Sequence, residues 1–180
     1  MAPAHTDWLH HVMQVSGPPA ELAAFRKAAA GAGTVPWRLD LDRMQEDFFL
    51  RLVDPGQRTL SVAGARVLAG QVRQAVGRRH ALAVAQVGRS TACPFDLHAL
   101  VPVPAFLLSL GPDDPDALAW LWAHWGITEP LRHVAADGRQ PAGMWRLSFW
   151  AADWTPWRAL QRIRSGWPML VFDIRPTYER

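Results

Sequence analysis

The chain has 180 residues, 49% of them hydrophobic and 19% charged, with a net charge of +3. That length buries a core without disulfide or metal staples, and the lone cysteine, Cys93, excludes an internal disulfide and any multi-cysteine zinc or iron–sulfur site. The longest apolar run, residues 99–110, is too short for a bilayer and contains Pro102 and Pro104, and the opening MAPAHTDW lacks a signal-peptide pattern. The expectation is a soluble, cytoplasmic, bacterial protein of one domain with no membrane contact.

In chain order, residues 7–15 (DWLHHVMQV) alternate as a strand. Leu9, His11, Met13 and Val15 share one face, and Trp8, His10, Val12 and Gln14 the other. Ser16-Gly17-Pro18-Pro19 then turns the chain into a helix carrying Leu22, Phe25 and Ala29 inward and ending at Gly31 or Gly33. Residues 34–54 fit a strand and a short helix. Residues 59–76 predict a helix with Val72 and Val76 on its stripe, interrupted by Gly77; His80 to Val87 fits a helix or a strand.

Residues 94–101 (PFDLHALV) alternate as a second strand, with Phe95 and Leu97 opposed to Asp96 and His98. Asp114-Pro115 reads as a helix start. The helix that follows places Leu118, Leu121, Trp122 and Trp125 on one stripe, with Trp120 and His124 four apart and able to touch. A third strand spans 144–151 with Trp145, Leu147, Phe149 and Ala151 toward the core and Arg146, Ser148 and Trp150 outward; residues 131–134 fit its hairpin partner. Thr155-Pro156 predicts the cap of another helix, and 168–175 a last strand with Asp173 and Arg175 outward.

With the middle set aside, the order is strand, helix, strand, helical excursion, strand, helix, strand. That is the α+β, ferredoxin-like (βαββαβ) pattern: an antiparallel sheet with helices on one face. The core would be 7–31 and 93–176, with a helical insertion over about 34–90.

The insertion is also the basic part of the chain. From Pro55 to Phe95 there are six arginines (Arg58, Arg66, Arg73, Arg78, Arg79 and Arg89) and no acid. The remainder of the chain is therefore 3 minus 6, a net −3. Such a segment is either an electrostatic footprint for a polyanion or a solvated helix face whose arginines pair with acids elsewhere.

Three stretches together resemble the YubB-like family: VSGPP (15–19) after a tryptophan-bearing strand, CPFDLHALVPVP (93–104), and WAHWGI (122–127) with WRLSFWAADWTPW (145–157). His98 stands where that family usually has asparagine, and HWGITEP keeps only the Trp-Gly of its second motif. The resemblance implies a ferredoxin-like domain of plasmid- and phage-borne proteins of unknown function, and it supplies no catalytic residues.

Three functions follow from the residues. The first is a non-enzymatic binding domain engaging nucleic acid or a protein partner through Arg66, Arg73, Arg78, Arg79, Arg146 and Trp150. The second is an enzyme or small-ligand site around His10, Asp96 and His98, with Cys93 a nucleophile that His98 serves as base, or else a buried apolar side chain. The third is a subunit of a homo-oligomer or complex whose tryptophans cover a sheet face. No phosphate loop, G-x-S-x-G elbow or metal-ligand spacing occurs, so no cofactor or metal is expected.

Overall fold

The structure is a computed structural model and describes residues 7–54, 56, 60–138, 140–152 and 154–177. It is a mixed α+β arrangement in which four strands, β1 (Trp8–Ser16), β2 (Arg132–Ala136), β3 (Met144–Ala152) and β4 (Val171–Thr177), form one antiparallel sheet in the order β2-β3-β1-β4. The helices are α1 (Pro19–Ala29), α2 (Leu41–Val53), α3 (Val62–Val84), α4 (Leu97–Leu100), α5 (Ala105–Leu110), α6 (Pro115–His124) and α7 (Trp157–Gly166).

The strands form because their side chains alternate between two environments. On β1, His11, Met13 and Val15 are buried; on β3, Trp145, Leu147, Phe149 and Ala151 are. The β1–β3 register sets Met13 opposite Leu147 and His11 opposite Phe149, so the apolar halves of both strands face one side. The helices close that side. Leu22, Phe25 and Ala29 of α1, Leu121 of α6, and Ala159, Leu160 and Ile163 of α7 join the same buried cluster. Phe25 is edge-on to Trp145, Trp167 and Phe172 at 5.3–5.8 Å between ring centroids, an arrangement that adds about 0.5–1.5 kcal/mol per pair beyond area burial.

Several expected elements change. PFDLHALV is not a strand: α4 starts there, because Asp96 caps it, accepting from the His98 N–H at 2.8 Å. The second strand of the sheet is instead 132–136, paired with β3 as the hairpin expectation had it. Gly77 does not interrupt α3, which runs unbroken to Val84; a side chain there would sit 2.9 Å from Leu41 Cδ1, so the glycine serves the close approach of α2. Thr155 does not cap α7. Its hydroxyl is spent on His11, and Pro156 occupies the cap position.

The α2–α3 pair packs differently from the sheet. In α2 no side chain is fully buried, and in α3 only Ala65 and Ala69 are. The two helices meet through small residues and through polar contacts. Arg73 bonds Asp42 at 2.7 Å, and the Arg66 guanidinium lies 4.9 Å from the centre of the Phe49 ring. His80 donates to the Trp37 carbonyl at 2.8 Å and ties α3 to the segment before α2.

Candidate functional site

Among the described residues, the side of the sheet away from the helices is open. Its rows follow from the register: Arg132, Trp150, His10 and Thr177 run across all four strands in one row, and Ala135, Ser148, Val12 and Arg175 in the next. Gln14, Arg146 and Asp173 make a third. Among the described residues of α2 and α3 none shields the arginines of this face: the side chains of Arg132, Arg146 and Arg175 keep 53%, 56% and 78% of their exposure.

At one end of this face Trp8, Arg132, His133 and Trp150 line a shallow cavity of about 300 Å³. The Arg132 guanidinium lies over the Trp8 indole, 3.7 Å from the ring centre, a cation–π contact of about 0.5–1 kcal/mol at an exposed site. Trp150 leans on His10, their centroids 5.0 Å apart. The ladder between β2 and β3 is broken between Arg132 and Ala135, and His133 there has φ 49°, a left-handed conformation that costs a non-glycine residue about 1–2 kcal/mol. A bulge of this kind redirects side chains at a sheet edge.

Each arginine of the face has an acid beside it. Arg132 meets Glu129 at 3.1 Å, Arg146 meets Asp137 at 3.5 Å, and Arg175 meets Asp173 at 2.8 Å. Exposed pairs like these contribute little stability, but they cancel the long-range field. The face is aromatic and locally charged rather than electropositive.

The sequence-predicted residues fall into three places. Arg146 and Trp150 are on the open face. Arg66 and Arg73 are occupied within the α2–α3 hairpin, Arg78 and Arg79 are exposed on α3, and Arg58 lies outside the described residues. His10 is on the open face, but Asp96 and His98 are not beside it as strand neighbours. Phe95, next to Asp96, stacks on Phe149 from the helix side of the sheet, opposite the face that carries His10.

Asp96 and His98 are spent on structure. Asp96 also accepts from the Gly33 N–H at 2.8 Å, and a side chain at Gly31 would collide with its carboxylate. His98 Nδ1 accepts from the Val103 N–H at 3.2 Å, and burial lowers the imidazole's pKa. Cys93 donates to the Phe95 carbonyl at 3.4 Å, and burial first, with Asp96 nearby, pushes its thiol up to about 11. A thiol held neutral is a poor nucleophile. The space among these groups is only about 10 Å³. Among the described residues no group of three or more His, Cys, Asp or Glu is placed to hold a metal, and no helix is long and apolar enough to cross a membrane.

A larger cleft of about 480 Å³ lies between α2 and the turn before α6. Its charges oppose one another, Arg38, Arg43 and Arg51 against Asp47 and Asp113, and its other two acids, Asp40 and Asp114, already cap α2 and α6.

The alternation of 7–15 already put Trp8 on the outward face. Arg132 and His133 were not legible, because a stack across three strands and a bulge leave no local pattern.

Neither a family model nor a curated protein matches this chain. Among solved structures it is similar to the crystal structure of protein api92 from Yersinia pseudotuberculosis, a DUF1281 protein. The TM-score is 0.51 at 13% identity, over 96% of this chain and 90% of that one. The likeness concerns the fold alone.

Proposed function

We propose that the protein is a non-enzymatic binding module that engages single-stranded nucleic acid across its open sheet face, on a ferredoxin-like core with a helical insertion. The order β2-β3-β1-β4, with α1 leaving β1 and α7 joining β3 to β4, supports that core. The YubB-like motifs, and with them an association with plasmids and phages, belong to the same proposal.

One observation carries the functional reading: two tryptophans and an arginine wall a cavity on a sheet face that, among the described residues, no helix covers. Aromatic rings on an open sheet stack unpaired bases irrespective of sequence. Of the residues nominated for an enzyme, Cys93, Asp96 and His98 each hold a neighbour in place, and His10 leans on Trp150 on the other side of the sheet.

Fluorescence anisotropy with labelled single-stranded DNA and RNA tests it. Binding is expected, and Trp150→Ala should weaken it roughly tenfold, the size of one lost base stack. If no strand binds, the nucleic-acid reading falls.

A further inference from the structure

We propose that the cavity walled by Trp8, Arg132, His133 and Trp150 seats a single unstacked nucleobase, so that recognition runs through the base and only weakly through phosphate. This rests on the nucleic-acid reading above and goes further by naming what enters the site.

The walls select the ligand. The Trp150 indole and the Arg132 guanidinium, itself laid flat on Trp8, offer planar surfaces for stacking. A cage of indoles alone would also take a quaternary ammonium; here the Arg132 guanidinium already occupies the Trp8 ring as its cation. An aliphatic group would bury the guanidinium N–H groups without acceptors. An inorganic anion finds no stacking partner and meets a face whose arginines are already paired with Glu129, Asp137 and Asp173. A planar, electron-rich ring with acceptors on its edge satisfies all the walls: its face lies on Trp150 or the guanidinium, and its edge accepts from Arg132 N–H groups that Glu129 leaves unused.

The strained backbone falls in the same place. His133 lines the cavity and holds φ 49° at the bulge of β2. Strain of this order persists where a site requires it, and here the bulge sets His133 beside the aromatic walls. A base in a duplex is stacked on both sides and cannot reach the cavity, so single strands are the substrate.

The test compares a short oligothymidylate with an abasic strand of the same length and backbone, binding each to the full chain, its Trp150→Ala variant and its Trp150→Phe variant. For the unaltered protein the abasic strand should bind roughly tenfold more weakly, the loss of one stacked base. Trp150→Ala should erase the difference, and Trp150→Phe should keep most of it, separating stacking from a folding defect. Equal affinity for both strands overturns the base seat and leaves the sheet-face reading standing. A difference that survives Trp150→Ala also overturns it. Binding of neither strand overturns both.

Discussion

The open sheet face and the α2–α3 hairpin answer the problem of surface charge in opposite ways. On the sheet, every arginine has an acid within 3.5 Å, and aromatic rings lie between them. On α3, Arg78 and Arg79 are exposed on a helix without a single acid. The two regions differ in packing as well. The sheet rests on a core in which Met13, Phe25, Leu147 and Phe149 have no exposed surface, whereas α2 buries no side chain completely and α3 only two alanines. Basic charge in the sequence thus marked the loosely packed region, and the open sheet face is nearly neutral. On the function proposed above, long-range attraction and short-range recognition would be assigned to separate surfaces.

The packing half of this contrast is the easiest to break. Phe149→Ala, which empties the space between His11 and Phe95, should cost about 3–5 kcal/mol in a denaturant melt. Phe49→Ala in the hairpin should cost about 1 kcal/mol, because that ring is only half-buried. Similar losses would mean the hairpin is as tightly built as the core.

Charge and stacking can be separated next. Arg78→Ala with Arg79→Ala should change oligonucleotide affinity less than about twofold if contact is on the sheet, and should leave a shallow dependence on salt, because few counterions are released. A steep salt dependence abolished by that pair, with Arg73→Ala adding to it, would move the contact to α3.

A third measurement concerns His98, whose ring acceptor holds the Val103 N–H. His98→Leu should cost about 1–3 kcal/mol by orphaning that donor. His98→Asn should cost less, since an amide oxygen offers the same acceptor; asparagine is the residue the resembled family has at this point. Equal costs would show that ring packing, not the acceptor, matters there.

Acid should act on the packed body. His11 is stacked on Phe149, donates from Nδ1 to the Leu9 carbonyl and accepts at Nε2 from the Thr155 hydroxyl. Burial is the main cause that lowers its pKa below 6.5, and the pKa of His98 is lowered for the same reason. Both rings take up protons more readily when unfolded, so stability is full above pH 6.5 and falls as the pH drops from there through the folded-state values. The melting temperature should decline across that window, and His98→Asn should reduce the decline. The smallest effect expected is that of Arg73→Ala on stability, under about 1 kcal/mol, because its partner Asp42 is largely solvated.

Much of this architecture was written in periodicity. The two-residue alternation of 7–15 and 144–151 placed His11, Met13 and Val15 of β1 and Trp145, Leu147, Phe149 and Ala151 of β3 on the correct face, though Ala152, also buried, breaks it at the end of β3; the spacing of Trp120 and His124 gave a stacked pair, 4.3 Å between centroids. Periodicity failed where the structure is local or crosses strands. FDLH alternates like a strand, yet the short carboxylate of Asp96 closes on two backbone N–H groups and turns the chain into α4. Gly77 carries the signature of a helix end and is instead a point of contact. The wall formed by Trp8 and Arg132 joins residues more than a hundred positions apart, brought together by a register that no single segment encodes.

The two outer strands have a shared consequence. β2 is kinked out of its ladder at His133, and β4 carries Pro176, opposite His11 and one residue before its end, with no N–H to offer. Irregularity and proline are what keep sheet margins from recruiting further strands. Lateral growth of this layer is thereby discouraged at both borders, which leaves side chains, rather than backbone, as the main chemistry the layer presents.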